Sequence, residues 1–332
     1  MPAFIRVLAL AAVLHGACAS AASLIAPDTY FIAGKTTPNS QPDGNTIVIA
    51  APKGLIVFDT GRHKEHAQQI LDFAHAQNQP IAAIINSHWH LDHVGGNPPL
   101  RAAFPDISVY ASSAIDGARK GFLADYRAHL VTEIDQSTKD AQSAKGSQAA
   151  QNPEAQASMR SEIALIDEGA ALGPTDVIKK STPLTIAGRR LQLHLESHAV
   201  TAGDVWVLDP ATHVLLAGDL VTLPAPFFES ACPSGWRAAL THLDKAPFEW
   251  LVPGHGAPMQ RHAFETYRTA FSNLLACAAG DGTKNSCIDG WINDAADLIS
   301  TDDVSYARIL IGYYVQNYLR NPTDRIRKFC TD

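Results

Sequence analysis

The apolar run Ile81-Ala82-Ala83-Ile84-Ile85 passes directly into NSHWHLDHVGGN, residues 86–97. Five apolar residues bounded by turn-forming ones read as a short buried strand. Such a strand can expose metal-binding side chains only beyond its end, so the fold must bring that end to an open edge. His88 and His90 are two apart, and in extended backbone their side chains point the same way, which suits two imidazoles on one ion. Asp92 and His93 follow at once, and Gly95-Gly96 lets the chain turn sharply and carry them towards a second ion. Four such groups are too many for one open site, so the motif reads as two half-sites.

Further short apolar runs occur at residues 46–50, 55–58, 107–110, 191–195, 205–208, 214–217 and 250–252, several bounded by Gly, Pro or Asp. Helical patterns lie between them, as in RHKEHAQQILDFAHAQN with Ile70, Leu71 and Phe73 on its apolar side. The mixture predicts an α/β layered architecture with more than one sheet. Residues 120–170 are rich in Gln, Ala and Ser and read as an exposed, partly helical insertion. From Arg261 onward the pattern is helical to the end, with Val304, Ile309, Leu310, Tyr313 and Tyr314 expected on one broad packing face.

A chain of 332 residues with 46% hydrophobic content can bury one large core, with or without a subdomain. Its formal charge of −7 and lack of a Lys/Arg cluster argue against a nucleic-acid partner. At the start, Arg6 precedes an apolar stretch from Val7 to Leu14 and then the small residues Ala19-Ser20-Ala21. This reads as a secretory leader over residues 1–21, placing the mature chain in the periplasm or outside the cell. A membrane anchor would need roughly 20 apolar residues, more than this run supplies. Lipidation at Cys18 is the weaker alternative, since His15 stands where an apolar residue is wanted. Loss of the leader leaves Cys232, Cys277, Cys287 and Cys330, an even set that invites disulfides in an exported protein. Cys277 and Cys287 flank a turn-rich segment and form the first pair; Cys232 with Cys330 follows by elimination.

The motif His88-x-His90-x-Asp92-His93 with Gly95-Gly96-Asn97 resembles the signature of the metallo-β-lactamase superfamily. LIVFDTG with Asp59, VLLAGDLV with Asp219 and LVPGHG with His255 follow in the expected order, so the resemblance covers about residues 25–260. It implies a four-layer αβ/βα sandwich over residues 22–260, extended by the helices of residues 261–332. It further implies zinc, two ions per chain. His88, His90 and a third histidine would hold one, and Asp92, His93 and His255 the other, with Asp219 bridging and Asp59 orienting a ligand from behind. The chain departs from the family at SHAVTAGDVWV, where Val200 occupies the usual histidine position. His198 lies two residues earlier and, in extended backbone, would share its face. It is therefore the expected third ligand. The remaining histidines lack partners at metal spacing.

The implied reaction is zinc-dependent hydrolysis of an activated acyl bond in a small-molecule substrate: an ester, lactone, thioester or β-lactam. A metal-bridging hydroxide would attack, and Asp92 would orient it as the catalytic carboxylate. Asp219 resembles the general hydrolase branches more than dedicated β-lactamases, which leaves antibiotic hydrolysis as the alternative. A non-catalytic periplasmic accessory protein with a partial metal site is the reading of another class. A di-iron redox centre would want an attached flavin domain, and the sequence shows none. The sequence assigns no oligomeric state.

Overall fold

The computed structural model describes residues 22–35, 41–142 and 153–331. The leader read at residues 1–21 and the middle of the insertion lie outside the described residues. Seven strands form the first sheet in chain order: β1 (Ala22–Ala26), β2 (Thr29–Ile32), β3 (Thr46–Ala51), β4 (Gly54–Phe58), β5 (Ile81–Ile85), β6 (Ser108–Ala111) and β7 (Asp176–Val177). It is antiparallel up to β4 and parallel from β4 to β7. The second sheet comprises β8 (Thr182–Ile186), β9 (Arg189–Glu196), β10 (Asp204–Asp209), β11 (Val214–Thr222), β12 (Trp250–His255) and β13 (Met259–Gln260). In it β11 and β12 run parallel, and the other neighbours run antiparallel.

Side-chain alternation explains the layering. Ile47, Ile49, Ile56, Phe58 and Ile85 face the second sheet and meet Leu191, Leu193, Val205, Val207, Leu216 and Val252 in one buried cluster. The intervening Val48, Leu55, Val57 and Ile84 point outward, where a pleated strand must put them. They are covered by α1 (Lys64–Gln77) through Ile70, Phe73 and Ala74. Two short helices follow β5, α2 (Leu91–Val94) and α3 (Asn97–Ala103). After β6 come α4 (Ala114–Lys120), α5 (Phe122–Gln142) and α6 (Pro153–Asp167), which gather Ile115, Leu123, Leu130 and Ile166 around Trp89 and Leu91 beside the motif.

The outer face of the second sheet, with Trp206, Leu208, Leu215 and Leu251, is covered by α7 (Pro233–Asp244) and α8 (Arg261–Ala279). The chain then continues through α9 (Lys284–Asp294), α10 (Val304–Tyr314) and α11 (Asp324–Phe329). The result is an αβ/βα sandwich with C-terminal helices. Both expected disulfides are present, Cys277–Cys287 and Cys232–Cys330. Among the described residues no helix is long and apolar enough to cross a membrane.

The packing face of α10 differs from the expected one. Its buried residues are Ala307, Ile311, Gly312 and Tyr314, whereas Ile309 is 68% and Tyr313 43% exposed. A Cβ on Gly312 would lie 3.1 Å from Ile288 of α9, so α10 packs closely through its Ala307, Ile311 and Gly312 side and leaves Ile309 and Tyr313 outward.

Leu216 is fully buried between the sheets. Leu216→Ala should therefore cost about 2–5 kcal/mol of stability, measured by urea unfolding; an effect well under about 1 kcal/mol would contradict a packed inter-sheet core.

Candidate metal centre

The parallel pairs β4/β5 and β11/β12 end at one edge of the sandwich, and their last residues make the site. Asp59 directly follows β4 in the left-handed region (φ 58°), which Asp tolerates better than most residues. The motif leaves β5; Asp219 lies within β11, and His255 ends β12. Two glycines permit this convergence. Gly218 has φ 54°, and a Cβ on Gly254 would stand only 2.0 Å from Asp219 Oδ1. The carboxylate therefore occupies space that any other residue at position 254 would fill.

Two groups of donors result: His88, His90 and Asp219 in one, and Asp92, His93 and His255 in the other. Asp219 reaches both. Its Oδ2 is 3.7 Å from His88 Nε2, and its Oδ1 is 3.2 Å from His93 Nε2 and 3.6 Å from His255 Nε2. Asp92 Oδ2 lies 3.0 Å from His255 Nε2 and 3.6 Å from His93 Nε2. His88 Nε2, His93 Nε2 and Asp219 Oδ1 are buried without a hydrogen-bond partner. Buried polar atoms are rarely left so, and three orphans converging on one point fit a bound cation.

The opposite ring nitrogens of His88, His90 and His93 are engaged. Ser87 Oγ donates to Asp59 Oδ2 (2.6 Å), so its contact with His88 Nδ1 (2.9 Å) must be one in which the ring donates. Ser230 Oγ likewise spends its proton on the Val200 carbonyl (3.0 Å) and accepts from His90 Nε2 at 2.8 Å. His93 Nδ1 donates to Asp59 Oδ2 at 2.8 Å. Each ring is thereby fixed with its other nitrogen turned towards the metal position: Nε2 of His88, Nδ1 of His90 and Nε2 of His93.

Electrostatics point the same way. Burial pushes His88 well below the ordinary histidine value and His90 down to about 4, so both rings are neutral near pH 7. Burial opposes charge on His93 and His255 too, but Asp219 and Asp92 beside both, with Asp59 also beside His93, outweigh it and raise both. Burial alone would raise the Asp92 and Asp219 carboxyls, yet the neighbouring imidazoles hold both below the ordinary range. The cluster is anionic and binds positive charge, which protons supply where a metal does not.

The structure does not bring His198 to either group. Its ring stacks on Phe329 of α11 (centroids 5.3 Å apart), and its Nδ1 meets Ser197 Oγ. The two-residue alternation that placed it beside the other histidines holds only in extended backbone, and residues 197–203 bend instead. Ala199 N donates to Thr201 O, and Cys232 N donates to Ala199 O. Val200 is consequently buried, and its carbonyl meets Ser230, which in turn holds His90.

Sequence reading missed Ser230, which lies 140 positions from His90 with no motif around it. It also missed Arg62, whose guanidinium is paired with Glu162 of α6 and lies 3.5 Å from Asp92 Oδ1. Asp59, expected to orient a ligand, accepts from His93 Nδ1 and Ser87 Oγ, whereas Ser87 itself, inside the motif, went unremarked.

Fold and donor set together define an αβ/βα sandwich that carries, at one edge, two groups of side chains able to hold metal ions. A family model described as the metallo-beta-lactamase superfamily matches residues 41–255, and the chain belongs to that superfamily. The linear primary-alkylsulfatase of Pseudomonas sp. (strain ATCC 19151) is 28% identical over 235 residues, 64% of this chain and 41% of that protein. The chain thus spans about two fifths of that relative's length. A hydroxyacylglutathione hydrolase of Thermosynechococcus vestitus is 57% identical over 37 residues, 11% of this chain and 15% of that one. Among solved structures, a double mutant of the sec-alkyl sulfatase PisA1 superposes with TM-score 0.59 at 19% identity, covering 91% of this chain and 51% of that one. A metallo-beta-lactamase from Pontibacter korlensis gives 0.52 at 19% identity, covering 76% and 98%. At these identities the structural likenesses show the fold alone.

Ser230→Ala should lower metal affinity roughly 10- to 100-fold, read by chelator competition; unchanged affinity would remove Ser230 from the account. Metal affinity should also climb as pH rises through and above the ordinary histidine range, because His93 and His255 must lose raised-pKa protons before they can bind. An affinity flat with pH in the same assay would contradict that competition.

Proposed function

We propose that the protein is a two-zinc hydrolase that cleaves an activated acyl bond: an ester, lactone, thioester or β-lactam. The observation that carries this reading is the pair of donor groups sharing Asp219 at the floor of a cavity of about 490 Å³. That volume suits a small-molecule substrate. A metal pair held there would acidify a water and polarise the oxygen of the bond to be cleaved.

The chain's own residues do the rest. His88, His90 and Asp219 would hold one ion; Asp92, His93 and His255, with Asp219 shared, would hold the other. Asp219 would serve both positions, since its Oδ2 faces His88 and its Oδ1 faces His93 and His255. Asp92 is held ionised between His255 and Arg62. A carboxylate so acidic is a poor proton store, and its role is to orient the attacking water by accepting its hydrogen bond. Glu162 and Arg62 brace Asp92 from the insertion side. The two disulfides support an oxidising, extracytoplasmic location.

A second reading, cleavage of a sulfate ester, is favoured by the likeness to alkylsulfatases, which in sequence covers 64% of the chain. Both readings meet in one assay: nitrocefin, an aryl ester, a lactone, a thioester and an alkyl sulfate, each tested against the protein, its His88→Ala variant and the chelated protein. Turnover of at least one acyl substrate, lost by 10²-fold or more in the variant and on chelation, is expected. Turnover of the sulfate alone would select the second reading, and no turnover would favour an accessory role.

A further inference from the structure

The cavity above the donor groups is walled by two elements that the metal motif does not require. One wall comes from α5 of the insertion, with Phe122, Leu123 and Tyr126; the other comes from α10, with Tyr306, Leu310 and Tyr314. α10 lies beyond residues 41–255 that the family model matches, so this wall belongs to the chain's own C-terminal helices. Phe227 closes the base between them, with its ring against His90 (5.1 Å) and Tyr314 (5.9 Å).

The walls are tied together before any ligand arrives. Arg325 of α11 lies over the Phe122 ring at 4.8 Å and donates to the Glu229 carbonyl at 3.1 Å. Cys330, just past α11, is disulfide-bonded to Cys232 at the start of α7. Trp291 of α9 donates to the Pro224 carbonyl on the cavity floor. A preformed apolar cavity binds a matching group without the cost of ordering its walls.

Its charge is equally selective. Arg62 is the one guanidinium or ammonium group lining the cavity among the described residues, and it is already committed to Glu162, Asp92 and the Pro42 carbonyl. Glu229 on the same lining is a carboxylate. Burial keeps the Tyr126 phenol neutral, pushed up to about 12, and holds Tyr314 well above its ordinary value. A carboxylate on the far end of a substrate would be desolvated here with no free guanidinium or ammonium group to pair it, only His129 and neutral phenols.

Resting on the hydrolase reading above, we propose that the substrate carries an uncharged, apolar carbon chain or ring on one side of its scissile bond, seated between α5 and α10. Substrates whose tail bears a carboxylate, as β-lactams and peptide-like thioesters do, are excluded from that seat. The apolar tail is bound by area, at about four-fold in affinity for each methylene fully buried.

The test uses the protein and two readouts. Binding of 4-phenylbutanol, followed by calorimetry, reports the seat without any turnover. Leu310→Asp, and independently Tyr306→Glu at the more exposed rim, should each weaken it by roughly ten-fold or more. In turnover, S-ethyl thioacetate is compared with S-octyl thioacetate and S-ethyl thiooctanoate, so that the chain is offered on either side of the bond. One of the longer thioesters should exceed the short one in kcat/KM by at least about 30-fold, and a terminal carboxylate on its octyl chain should abolish that gain. Failure of 4-phenylbutanol to bind, or binding that neither folded variant weakens, overturns the proposal, as does equal use of the carboxylated thioester. Binding that both variants weaken, with no thioester cleaved, supports the seat and counts against the acyl reading instead.

Discussion

The crowding of buried carboxylates against buried imidazoles governs this molecule. Asp59, Asp92 and Asp219 all lie within 4 Å of His93, and His93 is fully buried. Three carboxylates in so little water repel one another strongly unless positive charge sits among them. The protein holds the carboxylates in place from outside the cluster, through the Ser87 amide and hydroxyl on Asp59 and the Arg62 guanidinium near Asp92. What remains uncompensated points inward, to the orphaned atoms of His88, His93 and Asp219.

The sandwich serves this arrangement. Strand ends from both sheets are needed, because no single sheet edge offers six donors facing one point. Asn45, just before β3, fastens the sheets together at that edge: its Nδ2 donates to the Pro253 and Gly256 carbonyls around His255, and its amide donates to Gly254. The inter-sheet core sets how far apart the two sheets lie, and hence how far Asp219 stands from the motif on β5.

Local features of this structure were legible in the sequence, and relations between distant segments were not. The runs at residues 46–50, 81–85, 205–208 and 214–217 are strands because each is apolar on both faces, and each is central in its sheet. Strands β1 and β8 escaped notice because they are edge strands: β1 exposes Ser23 and Leu24 side by side, and β8, with exposed alternate residues, begins Thr182-Pro183. His88, His90, Asp92 and His93 were readable from spacing alone, since one strand end positions them all. His198 shows the limit of that logic. Spacing carries orientation only as far as the backbone keeps its period, and the bend at residues 197–203 ends it. The hydroxyl that orients His90 comes from Ser230, in the loop before α7, and no local pattern announces it. The apolar seat depends on α5 and α10 meeting across the site, a tertiary fact with no local sequence signature.

The central claim is that this carboxylate–imidazole cluster is a metal centre built around Asp219. Elemental analysis of the protein and its Asp219→Asn variant, each equilibrated with zinc and freed of excess metal, tests it most directly. The account predicts two ions per chain in the protein and no more than one in the variant, because the shared carboxylate belongs to both positions. A protein that retains no metal, or a folded variant that still holds two ions, would contradict it.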